Sequence, residues 1–147
     1  MLLVSSTGGV LLDVLALEPW WSRHDTTWVA VPGVDTAGTI PAGRVLWERE
    51  QAASSPMAVL GAVSRALRHL RAMRPDVVVS AGTGVAVAYF VAARLLRIST
   101  LWIETFNMVG RAGLAARVCG RLADRVLVQR AELVATRRRA VVVGELY

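Results

Sequence analysis

A chain of 147 residues, 54% of them hydrophobic, is long enough to bury one core and too apolar to stay disordered. Its formal charge of +6 comes from 17 cationic side chains, all arginine, against 11 acids. From Arg94 onward ten arginines face four acids, so the excess sits in the last third, as a phosphate-attracting patch or a solvated face.

Leu2-Leu3-Val4 predicts a first strand, stopped by Ser5-Ser6-Thr7-Gly8-Gly9. An opening that runs straight into a turn gives no signal peptide, which makes the cytosol the default compartment. A helix from about Val10, with Leu11, Leu12, Leu15 and Leu17 apolar, ends near Pro19. Thr27 to Val31 is a second strand, closed by Pro32-Gly33. Residues 33–54 carry no regular pattern, and a stretch of that length in a compact domain serves a site or an interface. The clearest helix follows: Ser55 caps it and Pro56 fits its first turn. Leu60, Val63, Leu67 and Leu70 recur on one face, with Arg65, Arg68, His69 and Arg71 on the other. On that polar face His69 reads as a solvated side chain.

Asp76-Val77-Val78-Val79 predicts a strand covered on both faces. Val77 to Ala93 runs 17 residues without a charge, just short of the roughly 20 that cross a bilayer. Ser80-Ala81-Gly82-Thr83-Gly84 interrupts it, so strand, tight loop and central buried helix up to Arg94 is the better reading. Thr100 to Ile103, Val126 to Val128 and Ala140 to Val143 are further strands. Residues 109–122 are helical, with Leu114, Val118 and Leu122 in line and Arg117, Arg121 and Arg125 beside them. Cys119 in this stretch reads as a buried thiol, and a lone cysteine excludes an intramolecular disulfide and a multi-cysteine metal site.

Strands alternating with helices imply one α/β domain over 1–147, a Rossmann-like doubly wound parallel sheet. Right-handed crossovers then gather the strand-to-helix loops at the carboxyl edge, where such sheets bind ligands. Three loops meet there: Ser5–Gly9, Ser80–Gly84 and Glu104–Gly110. Ser6, Thr7, Gly8 and Gly9, and likewise Ser80, Gly82, Thr83 and Gly84, suit a phosphate cradle of backbone N–H groups and hydroxyls. Neither has dinucleotide or P-loop spacing, and a plain tight turn explains each as well. Ser5-Ser6-Thr7-Gly8 also loosely matches a flavin phosphate loop. Glu104, placed by Leu101-Trp102-Ile103 at a strand's end, can hydrogen-bond a sugar hydroxyl, act as a base, or pair with an arginine. Trp20, Trp21 and Trp47, with the arginine-flanked segment 109–125, suit a membrane interface or plain packing. His24 and His69 have no partner at telling spacing, metal-ligand spacing is absent, and no nucleic-acid motif accompanies the arginines.

Several of these segments fall in the order of one known pattern. They are Ser6-Thr7-Gly8-Gly9, Leu17-Glu18-Pro19-Trp20-Trp21, Arg74-Pro75-Asp76 through Gly82-Thr83-Gly84, Trp102-Ile103-Glu104-Thr105-Phe106, Ala123-Asp124-Arg125-Val126-Leu127-Val128-Gln129 and Val143-Gly144-Glu145-Leu146. The chain resembles the membrane-anchor subunit of the split UDP-N-acetylglucosamine transferase of N-glycan assembly, and more closely that subunit's bacterial exopolysaccharide relatives. The resemblance implies the amino-terminal half of a GT-B glycosyltransferase, active only with a separate donor-binding subunit. It implies a UDP-sugar co-substrate without cofactor or metal, and a polyprenyl-diphosphate-linked acceptor. It also implies peripheral contact with the cytoplasmic face of a membrane, and no nucleic-acid partner. A non-catalytic scaffold that recruits the partner is the alternative.

Three departures bear on the site. Val10 stands where the family's first loop carries histidine. Glu104-Thr105-Phe106-Asn107-Met108 lacks the family's arginine, and Gln129-Arg130-Ala131-Glu132 departs from its Gln-Trp-Pro-Glu. Glu104 is then the remaining catalytic candidate, orienting or deprotonating the accepting hydroxyl, with the two small-residue loops contacting phosphate.

Overall fold

A computed structural model describes residues 1–40, 44–50, 55–105, 113–136 and 139–144. Seven strands form one parallel sheet: β1 (Leu2–Val4), β2 (Thr27–Ala30), β3 (Val45–Trp47), β4 (Val77–Ser80), β5 (Ser99–Glu104), β6 (Arg125–Val128) and β7 (Ala140–Val142). Their spatial order is β3-β2-β1-β4-β5-β6-β7, so the strand order reverses its direction of advance between β1 and β4. Such a switch point opens a crevice at the carboxyl edge.

Strand alternation divides the core in two. On one face Leu2, Val4, Val29, Val78, Trp102, Val126 and Val128 meet three helices, α4 (Pro56–Met73), α5 (Gly84–Leu96) and α6 (Leu114–Leu122). On the other, Leu3, Trp28, Ala30, Val79 and Ile103 meet α1 (Gly9–Leu15) and α2 (Glu18–Trp21). As its apolar run predicts, α5 is central: Val85 to Phe90, Ala92 and Ala93 are all buried. Phe90 meets Trp102 edge-on at 5.8 Å, a quadrupole-favoured geometry.

The differences from the sequence reading have local causes. Inside the patternless 33–54 stretch lie a short helix, α3 (Thr36–Thr39), and the edge strand β3. Three residues are too few to display alternation; β2 recruits them, with Trp28 N–H donating to Arg44 O at 2.8 Å and Glu48 N–H to Ala30 O at 2.9 Å. Pro19 opens a second helical turn instead of ending the first, because its missing N–H costs nothing there. Ser55 occupies the N-cap of α4 without a side-chain capping bond. Leu60 is 65% exposed; the inward line is Ala62, Val63, Ala66 and Leu70. In the predicted 109–122 helix the described part is Leu114–Leu122, and its buried residues are Ala116 and Cys119, with Leu114 exposed. Burial pushes the Cys119 thiol well above its ordinary pKa. Trp21 is no interfacial residue: it is buried, meets Trp28 edge-on at 5.5 Å and donates from Nε1 to Val14 O at 2.9 Å.

Candidate functional site

Parallel strands bring the ends of β1, β2, β3, β4 and β5 to one rim, and the structure joins the two small-residue loops there. Gly82 lies so close to Val10 that an added Cβ would stand 2.8 Å from its Cγ2, so only glycine permits this approach. Gly8 has φ +70, a conformation that glycine adopts without strain. Ser80, fully buried, holds its own loop closed: Oγ donates to Gly82 O at 2.8 Å and accepts from Gly82 N–H at 3.2 Å. Thr83 has φ 94, strained for a β-branched residue, and caps α5 by accepting from Val85 N–H at 3.4 Å. Ser6 is buried and Thr7 partly so, while Gly8 and Gly9 are open to solvent.

Two carboxylates unforeseen from the sequence reach these loops. Asp35, ahead of α3, accepts from Gly8 N–H at 2.5 Å through Oδ2, so one donor of the expected cradle is already engaged. Glu50 accepts from Thr83 Oγ1 at 3.3 Å. Glu104 ends β5 as expected, but its side chain is only 3% exposed and already makes an interaction of its own. Its register partner is Val128. The rest of the expected third loop, 106–110, lies outside the described residues.

His69 is not simply solvated. Its Nδ1 lies 2.6 Å from the Tyr89 hydroxyl, which donates to the buried Glu48 Oε1 at 3.3 Å, while Arg65 Nε donates to Oε2 at 3.1 Å. For Tyr89 to donate to Glu48, His69 must carry its proton on Nδ1 and donate to the hydroxyl. Burial, then the Glu48 charge, pushes the Tyr89 hydroxyl far above its ordinary pKa. This network fastens the β3–α4 connection against α4 and α5. Its signals were a lone tyrosine in an apolar helix and Glu48 two residues from Leu46.

Among the described residues no three His, Cys, Asp or Glu are grouped to hold a metal ion, and no helix is long and apolar enough to cross a membrane.

The rim, switch point and two-faced helical cover are those of a Rossmann-like α/β domain. Against solved structures, 97% of the chain matches 44% of Acinetobacter baumannii MurG, with TM-score 0.77 and 22% identity. Likewise 99% of it matches 46% of the UDP-GlcNAc 2-epimerase of Neisseria meningitidis, with TM-score 0.73 and 16% identity. The family model described as "Oligosaccharide biosynthesis protein Alg14 like" matches residues 39–146, and the chain belongs to that family. A curated relative, the UDP-N-acetylglucosamine–N-acetylmuramyl-(pentapeptide) pyrophosphoryl-undecaprenol N-acetylglucosamine transferase of Lawsonia intracellularis, is 38% identical over 89 residues. That match takes in 60% of this chain and 24% of the relative, so the chain spans less than half the length of the proteins it resembles.

Proposed function

We propose that this chain is the acceptor-side half of a two-piece, UDP-sugar-dependent glycosyltransferase acting on a polyprenyl-diphosphate-linked acceptor. The observation that carries the reading is its near-complete match to less than half of MurG, with the open rim where a second half would face it. The curated relative is named for transfer of N-acetylglucosamine to a pyrophosphoryl-undecaprenol substrate, which supports the same substrate class.

In this reading a separate donor-binding subunit supplies most of the UDP-sugar site, and transfer occurs between the two chains. Ser6, Thr7, Gly8 and Gly9, with Ser80, Gly82, Thr83 and Gly84, contact phosphate at the rim. At Gly8 that contact requires Asp35 to yield its hydrogen bond. Glu104 orients or deprotonates the accepting hydroxyl, approached from above the sheet edge because its flanks are buried. No metal or cofactor is needed where helix dipoles and side chains offset the leaving diphosphate. Exposed Met57 and Leu60 at the start of α4, and Leu114 at the start of α6, lie on one face at the rim and give the peripheral membrane contact.

Reconstitution tests this. The chain, its donor subunit, UDP-N-acetylglucosamine and a polyprenyl-diphosphate acceptor should yield sugar transfer that neither chain gives alone. Glu104→Gln should lower kcat by about 100-fold, the usual scale for a lost general base. Unchanged turnover in that variant removes Glu104 from the chemistry. A stable complex that transfers nothing from any UDP-sugar would instead identify a recruiting scaffold.

A further inference from the structure

Two polar side chains at the rim are buried with hydrogen-bonding capacity unspent. Thr105 is 4% exposed and Gln129 is 9% exposed; neither Thr105 Oγ1 nor Gln129 Nε2 has a partner among the described residues. They are also neighbours. Glu104 and Val128 are the last register pair of β5 and β6, and Thr105 and Gln129 each follow directly, just beyond the two strand ends. Continuing the strand alternation places both on the face of Ile103 and Leu127, opposite to Glu104. Trp102 Nε1, the third such atom, belongs to the other face, where its ring meets Phe90.

Two residues before each of Thr105 and Gln129, Ile103 and Leu127 line a groove of about 310 Å³ with Ala16, Leu17, Trp20, Val143 and Gly144. Its lining is mostly apolar. Val143 N–H donates to Val128 O at 3.1 Å, so the extension of β7 forms its further wall beside Gln129.

Leaving a buried hydrogen-bonding group unmet costs about 1–3 kcal/mol, and such orphans are rare enough to require a reason. Packing supplies none here, since valine and leucine would fill the same space without that cost. A ligand does supply one. Neither side chain is charged, and a diphosphate in a dry site needs cations or several amide N–H groups. A hydroxyl and an amide N–H side by side instead suit a neutral oxygen, the hydroxyl or carbonyl of a sugar. The groove is also of the size that takes one small ring.

We infer that Thr105 and Gln129 are a sugar-binding subsite, hydrogen-bonding a neutral monosaccharide unit whose ring lies over the Ile103–Leu127 groove. The ring belongs to the acceptor or to the donor sugar, and only the kinetic arm of the test rests on the transferase reading.

The first arm uses the isotope-labelled chain alone, following the Gln129 side-chain amide by NMR, with Gln129→Leu to assign the signal. N-acetylglucosamine or methyl glucoside should shift it and inorganic diphosphate should not. A response to diphosphate alone, or none to either saccharide, overturns the inference. So does a shift produced by the donor subunit without sugar, which would make the pair an interface contact. The second arm uses the reconstituted complex. Thr105→Val and Gln129→Leu should each raise one KM about three- to tenfold, the worth of one neutral hydrogen bond, with kcat little changed. A raised acceptor KM assigns the ring to the acceptor, and a raised UDP-sugar KM assigns it to the donor. Both variants should melt no lower than the parent, because no existing bond is lost; marked destabilisation would mean the residues are structural and refute the subsite. If the amide answers to saccharide but the complex transfers nothing, the transferase reading fails and the subsite stands.

Discussion

At the scale of single residues, two buried ionisable groups set how this protein responds to alkali. Burial raises the Cys119 thiol above its ordinary value of 9.0 and the Tyr89 hydroxyl above 10.0. In the unfolded chain both ionise near those ordinary values, whereas the native state keeps its protons. Native protein then holds more protons than unfolded, so stability is fully present below about pH 8.5 and falls as pH rises beyond it. The absence of lysine makes this limb readable, since no lysine side chains titrate there. Urea midpoints measured from neutral pH to about pH 10.5 should decline in the parent and decline less in Cys119→Ala, with the slope above about pH 10 reduced in Tyr89→Phe. Equal slopes in all three would contradict the assignment. Single residues also mark what the sequence withheld. Glu104 at a strand end and the two glycine loops were legible from type and position. Asp35, Glu48 and His69 were not, because their partners lie 27, 41 and 20 residues away in sequence and meet only through the sheet crossovers.

Secondary-structure elements were legible wherever they ran long enough to show their period. α4 and α5, at 18 and 13 residues, declared themselves, whereas β3, at three residues, did not. A strand so short forms only because β2 offers its free edge, and nothing in Val45-Leu46-Trp47 encodes that partner. The helix ends were equally opaque. α5 closes with Arg97 left-handed at φ 57, where glycine is usual, and Ile98 N–H donates back to Ala93 O at 2.9 Å. The fold needs that reversal to turn Ile98 toward the core and start β5, so the arginine is held there at a cost. Arg97→Gly relieves the strain while enlarging unfolded-state freedom, and the net expectation is a gain of about 0.5–1 kcal/mol in chemical denaturation. A loss would mean that the exposed guanidinium contributes more than the backbone relief.

For the whole molecule, the distribution of helices gives the two sheet faces different work. The face under α4, α5 and α6 is covered from β2 to β6, and its helices begin at the rim with Met57, Leu60 and Leu114 exposed. The opposite face is covered by α1 and α2 beside β1 and β2, while Leu127 and Val141 toward the far edge remain partly or largely open. Exposed apolar side chains on a protein of charge +6 suit the contact with an anionic bilayer proposed above. Arg117 and Arg121 are exposed on α6, beside Leu114. The proposed membrane attachment then has two separable parts. The electrostatic part weakens with ionic strength over a Debye length of about 8–10 Å, and the apolar part does not. In co-sedimentation with vesicles containing anionic lipid, added salt should reduce binding without abolishing it. Leu60→Ser and Leu114→Ser should each reduce it about tenfold at any salt, since burying one leucine is worth about 1.5–3 kcal/mol. Both side chains are exposed, so the fold should tolerate either change. Binding unaltered in both variants would move the proposed contact away from the rim-side ends of α4 and α6, and would remove the proposed orientation of the carboxyl edge of the sheet toward a lipid-borne acceptor.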